Sequence, residues 1–165
     1  MKSPAGQPLN PASIEVLTDI MNTAGSALEG VDAVHYRAQH EDWLDLLDNL
    51  EKYGYLWKEN ERYVVSTCGL ATLGNPKSKD ILACCEKIFS LLRSHYKSKP
   101  RELITVAQLA TLVELTTQKA AECLRYMFDG PIWQVHSNDF SDPEKAIVQP
   151  GERILKYKSF REVVN

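Results

Sequence analysis

No apolar run in this 165-residue sequence approaches the roughly 18 to 20 residues that a membrane-spanning helix needs, so no membrane segment is expected in it. The opening MKSPAGQPLNPAS has no apolar core of the kind a secretory signal requires, and a cytoplasmic location is therefore expected. Cysteine is sparse. Cys68, Cys84, Cys85 and Cys123 include no Cys-x-x-Cys pair with which a zinc or redox site would begin, so buried free thiols are expected. His35, His40, His95 and His136 are scattered, with no His-x-x-x-His spacing, and there is no glycine-rich phosphate loop or Gly-x-Ser-x-Gly elbow. No catalytic residue, metal or cofactor is assigned on this basis, and the chain reads as non-enzymatic. His40, just ahead of Glu41 and Asp42, suits a helix start rather than a ligand.

An overall positive charge is missing too: the net charge is −3, which argues against a protein coated in cations for wrapping nucleic acid. The charge is unevenly spread. Residues 1–75 carry 5 Lys and Arg against 11 Asp and Glu, a net of −6, whereas residues 76–165 carry 14 against 11, a net of +3. With 44% hydrophobic and 25% charged residues the composition is that of an ordinary globular protein, of a length for one medium domain or two small ones.

Two small domains fit the patterning better. Residues 1–12 read as a proline-rich tail, with Asn10 or Ser13 capping a helix whose apolar stripe is Ile14, Leu17, Ile20, Met21, Ala24 and Leu28. Gly30 closes that segment, and VDAVHYRAQ reads equally as a short helix or a strand. Trp43, Leu46, Leu47, Leu50 and Tyr53 then form one face of a helix ended by Gly54. YLW and YVV flank the polar KENER as a hairpin, and Ser66 or Thr67 caps a short helix through GLATL.

The stretch Gly74 to Lys79, GNPKSK, is the best linker, which divides the chain into a first module at 13–74, a linker at 75–79 and a second module at 80–150. Asp80 is the expected N-cap of a helix of about four turns carrying Ile81, Leu82, Cys85, Ile88, Phe89, Leu92 and Tyr96, stopped near Pro100. Thr105 caps a helix at Val106–Leu112, and Thr116 caps one from Thr117 to about Phe128, with Asp129, Gly130 and Pro131 terminating it. IWQVH and AIVQ then pair as strands, with Trp57 and Trp133 as packing residues of the two ribbons. Residues 151–165 make a docking segment, a last strand and short helix, with Leu155, Tyr157, Phe160, Val163 and Val164 as its apolar surface. The same order, a helix pair followed by a hairpin, is used twice, so the fold class is mainly α with small β-hairpins, an α+β protein of two tandem units.

Residues 105–128 resemble the helix-turn-helix pattern and, with the hairpins, the winged-helix superfamily, as in small bacterial regulators of the MarR and PadR type. Ala110, Leu115, Ala120 and Cys123 or Leu124 occupy the small and apolar anchor positions of that pattern, and Glu114 stands where its turn glycine is usual. In the first half, LLDNLEKYGYLWKENERYVVSTCGLATL looks like the end of a recognition helix, a wing and the helix after it. The match covers about 35 residues in each half. The resemblance implies two tandem winged-helix modules and a DNA-binding transcriptional regulator that contacts double-stranded DNA through the second.

In that role Thr116, Thr117, Gln118 and Lys119, then Glu122 and Arg125, face base edges and phosphates, with Arg93, Lys97, Lys99 and Arg101 as flanking phosphate contacts. The first module's helix instead presents Glu41, Asp42, Asp45, Asp48 and Glu51, which a polyanion repels. That face reads as a contact for a basic protein partner or a basic region of a second copy, or equally as a charged surface that only keeps the protein in solution. The second hairpin, with Asp139, Asp142 and Glu144 against Lys145, is poorly charged for a minor groove. The alternative function is therefore a protein-interaction adaptor, or a subunit of a larger bacterial complex, that binds no DNA.

Overall fold

The computed structural model describes residues 9–25, 29–127, 133–135 (backbone alone) and 142–164. It is mainly helical with a few short antiparallel strands, and it divides into two compact units, Met1–Lys79 and Asp80–Val164.

The first unit begins with α1, Pro11–Ala24, whose N-cap Asn10 accepts from the Ser13 N–H at 2.8 Å while Pro11 supplies the preset φ of a first helical position. Its buried stripe is Ser13, Val16, Leu17, Ile20 and Met21; Val16 takes the place expected for Ile14, and Leu28 lies outside the described residues. The ambiguous VDAVHYRAQ is both elements in turn, β1 at Val31–Asp32 and α2 at Ala33–Gln39, with Asp32 capping the helix through His35 N–H at 2.8 Å. A single 3-10 turn, Glu41–Trp43, leads into α3, Leu44–Lys52.

Helix α3 ends in a Schellman motif. Gly54 adopts φ 77°, and Tyr55 N–H reaches back to Leu50 O at 2.9 Å while Gly54 N–H bonds Glu51 O at 3.1 Å. β2, Leu56–Glu59, and β3, Arg62–Val65, form the expected hairpin around Asn60 and Glu61, both left-handed at φ 50° and 58°, as a two-residue turn matching strand twist demands. Ser66 then caps α4, Thr67–Leu73, by accepting from Gly69 N–H at 3.0 Å. Gly69 is needed for closeness: a Cβ there would lie 2.5 Å from Tyr55 O. Leu17, Ile20, Leu47, Leu50, Tyr63 and Leu70 are fully enclosed in this unit, each side chain contributing about 1.5 to 3 kcal/mol of burial.

The expected linker is largely helix. α5 runs from Pro76 to Ser98, 23 residues instead of about four turns, and its N-cap is Asn75, which accepts from Ser78 N–H at 2.8 Å. Asn followed by Pro is a helix start, since the N-cap needs a side-chain acceptor and the first position needs no N–H. Asp80, the expected cap, lies within the helix.

The second unit then repeats the element order of the first. β4, Ile104–Thr105, leads into α6, Val106–Leu112, through a capping box in which Thr105 and Gln108 bond each other's backbone N–H at 3.0 Å. Next come α7, Thr117–Tyr126, capped by Thr116, and the pair β5, Trp133–Val135, and β6, Ile147–Pro150. The two sheets have the same strand order, β1-β3-β2 and β4-β6-β5, both antiparallel. In each, a two-residue strand ahead of the helix pair joins the last strand of the hairpin. Phe128, Asp129, Gly130, Pro131, Asp139 and the side chain of Trp133 lie outside the described residues; Trp57 is half-buried.

Among the described residues after Pro150 no strand forms. Glu152–Lys156 is instead a 3-10 turn, followed by α8, Phe160–Val164. This segment docks on its own unit: Ile154 and Phe160 are buried, the Phe160 ring lies 6.2 Å from that of Phe89, and the Glu86 carboxylate accepts from the N–H groups of Phe160 and Arg161 at 3.1 and 3.2 Å. Leu155 remains exposed.

Candidate functional site

The turn between α6 and α7 has the geometry the chain needs to turn within the four residues Val113 to Thr116. Glu114 sits at φ 59°, Leu115 N–H reaches Ala110 O at 2.9 Å, and Glu114 N–H bonds Thr111 O at 3.3 Å. This is the same Schellman closure as at Gly54, made here with a residue that has a Cβ. Ala110, Ala120, Cys123 and Leu124 are buried behind it, as small and apolar anchors, while Leu115 is half-buried.

Beyond the turn, Thr116 and Gln118 are exposed, and Thr117 and Lys119 are half-buried. One turn further along that face the exposure ends. Ala121 is 0% and Glu122 9% exposed, and Arg125 is half-buried, with burial pulling its guanidinium below the ordinary arginine value. Thus α7 is most exposed at its first turn, with Arg125 half-exposed two turns on. Lys119 is engaged as well: its Nζ lies 3.4 Å from Asp80 Oδ2. Burial works against its charge, but the carboxylates of Glu122 and Asp80 and the Cys123 sulfur outweigh it and leave the ammonium raised.

The flanking cations lie elsewhere. Lys97 and Arg101 are exposed, Lys99 pairs with Glu102 at 3.1 Å, and Arg93 is half-buried with a buried Nε that has no hydrogen-bond partner. Since Lys119 sits on Asp80, and Lys97 is 17 residues further along the same helix, about 25 Å separates the two at 1.5 Å per residue. Thr116–Lys119 and Lys97–Arg101 are therefore two separate patches.

In the first unit Glu41, Asp42, Asp45, Asp48 and Glu51 are all exposed, the first three at the negative-favouring start of the 3-10 turn and α3. Asp48 is partly consumed by Arg37, whose Nη1 lies 2.7 Å from its carboxylate and 3.1 Å from Tyr63 Oη; the hydrogen bond to Asp48 raises the Arg37 guanidinium above its usual value. Beside this face is a cluster that pattern reading passed over. His40 stacks on Trp43 at 4.5 Å and 4°, and its ring lies 4.4 Å from that of Tyr36, tilted by 35°. Tyr36 Oη donates to Asp19 at 2.5 Å, and His40 Nε2 lies 4.0 Å from the same carboxylate. His40 stands at the N-cap position of the 3-10 turn, at a helix start as expected, and its carbonyl accepts from Trp43 N–H at 2.9 Å, but its ring makes no capping hydrogen bond; the 36, 40, 43 spacing was the available signal for the ring cluster.

Among the described residues no group of three His, Cys, Asp or Glu side chains is arranged to hold a metal, and no helix is long and apolar enough to cross a membrane. Cys84, Cys85 and Cys123 are buried thiols and Cys68 is half-buried. No protein-family model matches this chain, and no curated protein or solved structure matches it either.

Proposed function

We propose that the chain is a non-enzymatic protein of two winged-helix units that serves as a protein-interaction adaptor, with the acidic face of the 3-10 turn and α3 as a contact for a basic partner. One contrast carries this reading. Glu41, Asp42, Asp45, Asp48 and Glu51 are exposed along the whole of that element, whereas the corresponding helix of the second unit, α7, buries Ala121 and Glu122 after one turn. A recognition helix reads base edges from its N-terminal residues, and in α7 that turn carries a single cation, Lys119, already paired with Asp80. Pull-down with the intact protein tests it: a stable protein partner, lost on Glu41→Lys with Asp45→Lys and absent at high salt, supports the adaptor. Recovery of the same partner by the charge-reversed variant rejects the face.

The second reading is a DNA-binding transcriptional regulator acting through the second unit, favoured by the exposure of Thr116 and Gln118 at the start of α7 and the net charge of +3 over residues 76–165. It requires a duplex gel shift that weakens as salt rises and is abolished by Lys119→Glu with Arg125→Glu. Absence of a shift at low salt rejects it.

A further inference from the structure

An open groove of about 690 Å³ lies between α5 and the end of α6, within the second unit. Leu91 and Val113 contribute to its apolar lining, and α5 adds the short side chains of Ala83, Ser90 and Ser94. At its edge stands Leu112, 63% exposed, a bulky apolar side chain that its own chain leaves in water. Short residues on one wall and a protruding leucine on the other make a hollow beside a knob.

Three charged groups also line the groove. Glu86 is already spent on the N–H groups of Phe160 and Arg161. That leaves Lys87 on α5 and Glu114 beyond α6, of opposite sign, both exposed and neither in an ion pair among the described residues. Glu114 moreover holds a left-handed backbone at φ 59°, a conformation that favours glycine, so a carboxylate stands at this rim against its local preference.

We infer that this groove is the contact surface of a homodimer, with a second copy of the chain docked on it about a two-fold axis. Such an axis uses each feature twice, since a residue that meets another across it is met in turn. Leu112 of each copy enters the other's hollow beside Ala83 and Ser90, and Lys87 of each faces Glu114 of the other. One patch thereby supplies knob, hollow, cation and anion. A small ligand is a poorer occupant, because an open groove encloses little of it. The surface uses none of the residues on which the two readings of the function rest, and it holds under either.

The test is sedimentation equilibrium of the intact protein from micromolar to millimolar concentration. The mass should rise to twice that of one chain and stop there. Leu112→Asp, Lys87→Glu and Glu114→Lys should each weaken the dimer by about tenfold or more, the last two by setting like charges face to face. An equimolar mixture of Lys87→Glu and Glu114→Lys should regain it, because the mixed pair restores both opposite-charge contacts. A monomer at millimolar concentration, growth beyond the dimer, a dimer indifferent to Leu112→Asp, or a mixture no tighter than its components would each overturn the assignment. Should a variant lose its circular-dichroism signal, the wild type decides. Carbodiimide cross-linking of mixed light- and heavy-nitrogen protein should join Lys87 of one copy to Glu114 of the other, and links between copies only elsewhere, or none, would reject the face.

Discussion

Lys119 is held by Asp80, nitrogen to oxygen 3.4 Å, at the point where the second compact unit begins. The Asp80 side chain is 67% exposed, so the pair is worth at most about 1 kcal/mol, and Asp80→Asn should leave the urea midpoint nearly unchanged. The informative measurement is binding. If duplex DNA is contacted through Lys119, releasing that cation from its carboxylate should tighten binding and steepen the salt dependence by about one phosphate contact. An unchanged slope would place Lys119 outside the contact.

Glu114 pays for its turn with a left-handed backbone at φ 59°. An L-residue there costs roughly 1 to 2 kcal/mol, partly offset by the greater unfolded-state freedom of glycine. Glu114→Gly should therefore stabilise the protein, by about 0.5 to 1 kcal/mol in urea denaturation. Glu114→Ile should destabilise it, since a β-branched residue is worse still in that region.

Tyr36 is 3% exposed and donates to Asp19 at 2.5 Å; burial first, then the hydrogen bond to that carboxylate, raise its phenol above the usual value near 10. The folded state thus holds the proton more tightly than the unfolded state. Its contribution is complete below about pH 10 and declines as pH rises beyond that value. Tyr36→Phe should cost about 1.5 to 3 kcal/mol at neutral pH and flatten the fall in melting temperature above pH 10 relative to wild type. Parallel curves for the two proteins at alkaline pH would contradict this account.

Glu86 caps α8 from a distance of 74 residues in sequence, its two carboxylate oxygens taking the N–H groups of Phe160 and Arg161. Glu86→Ala should free those donors at a cost of about 1 kcal/mol, comparable with an N-cap loss. Amide exchange of the segment around Phe160 should quicken while that of α6 stays unchanged. Glu86→Gln, which keeps one acceptor oxygen, should fall between the two.

Local chemistry was legible in the chain. Asn10, Ser66, Thr105 and Thr116 are N-caps as their side chains suggest, and the helix faces through Leu47, Leu50, Ile88 and Leu92 follow from three- and four-residue steps. The two units divide after Lys79, at the end of GNPKSK, but that stretch is mostly helical because glycine and proline interrupt a pattern only when they fall inside a helix; Pro76, placed after Asn75, begins one. The C-terminal strand was misread because apolar alternation in ILKYKSF does not reveal whether a neighbouring strand is free to pair.

By itself, then, the sequence determined the caps, the turns and the repeated order of helices and hairpins, since these depend on residues within a few positions of one another. Tertiary structure decided what is displayed. Whether Glu122 meets solvent, whether Lys119 is free, and whether Lys97 stands beside Thr116 all depend on chain segments distant in sequence, and a helical stripe cannot show which polar positions another segment will cover.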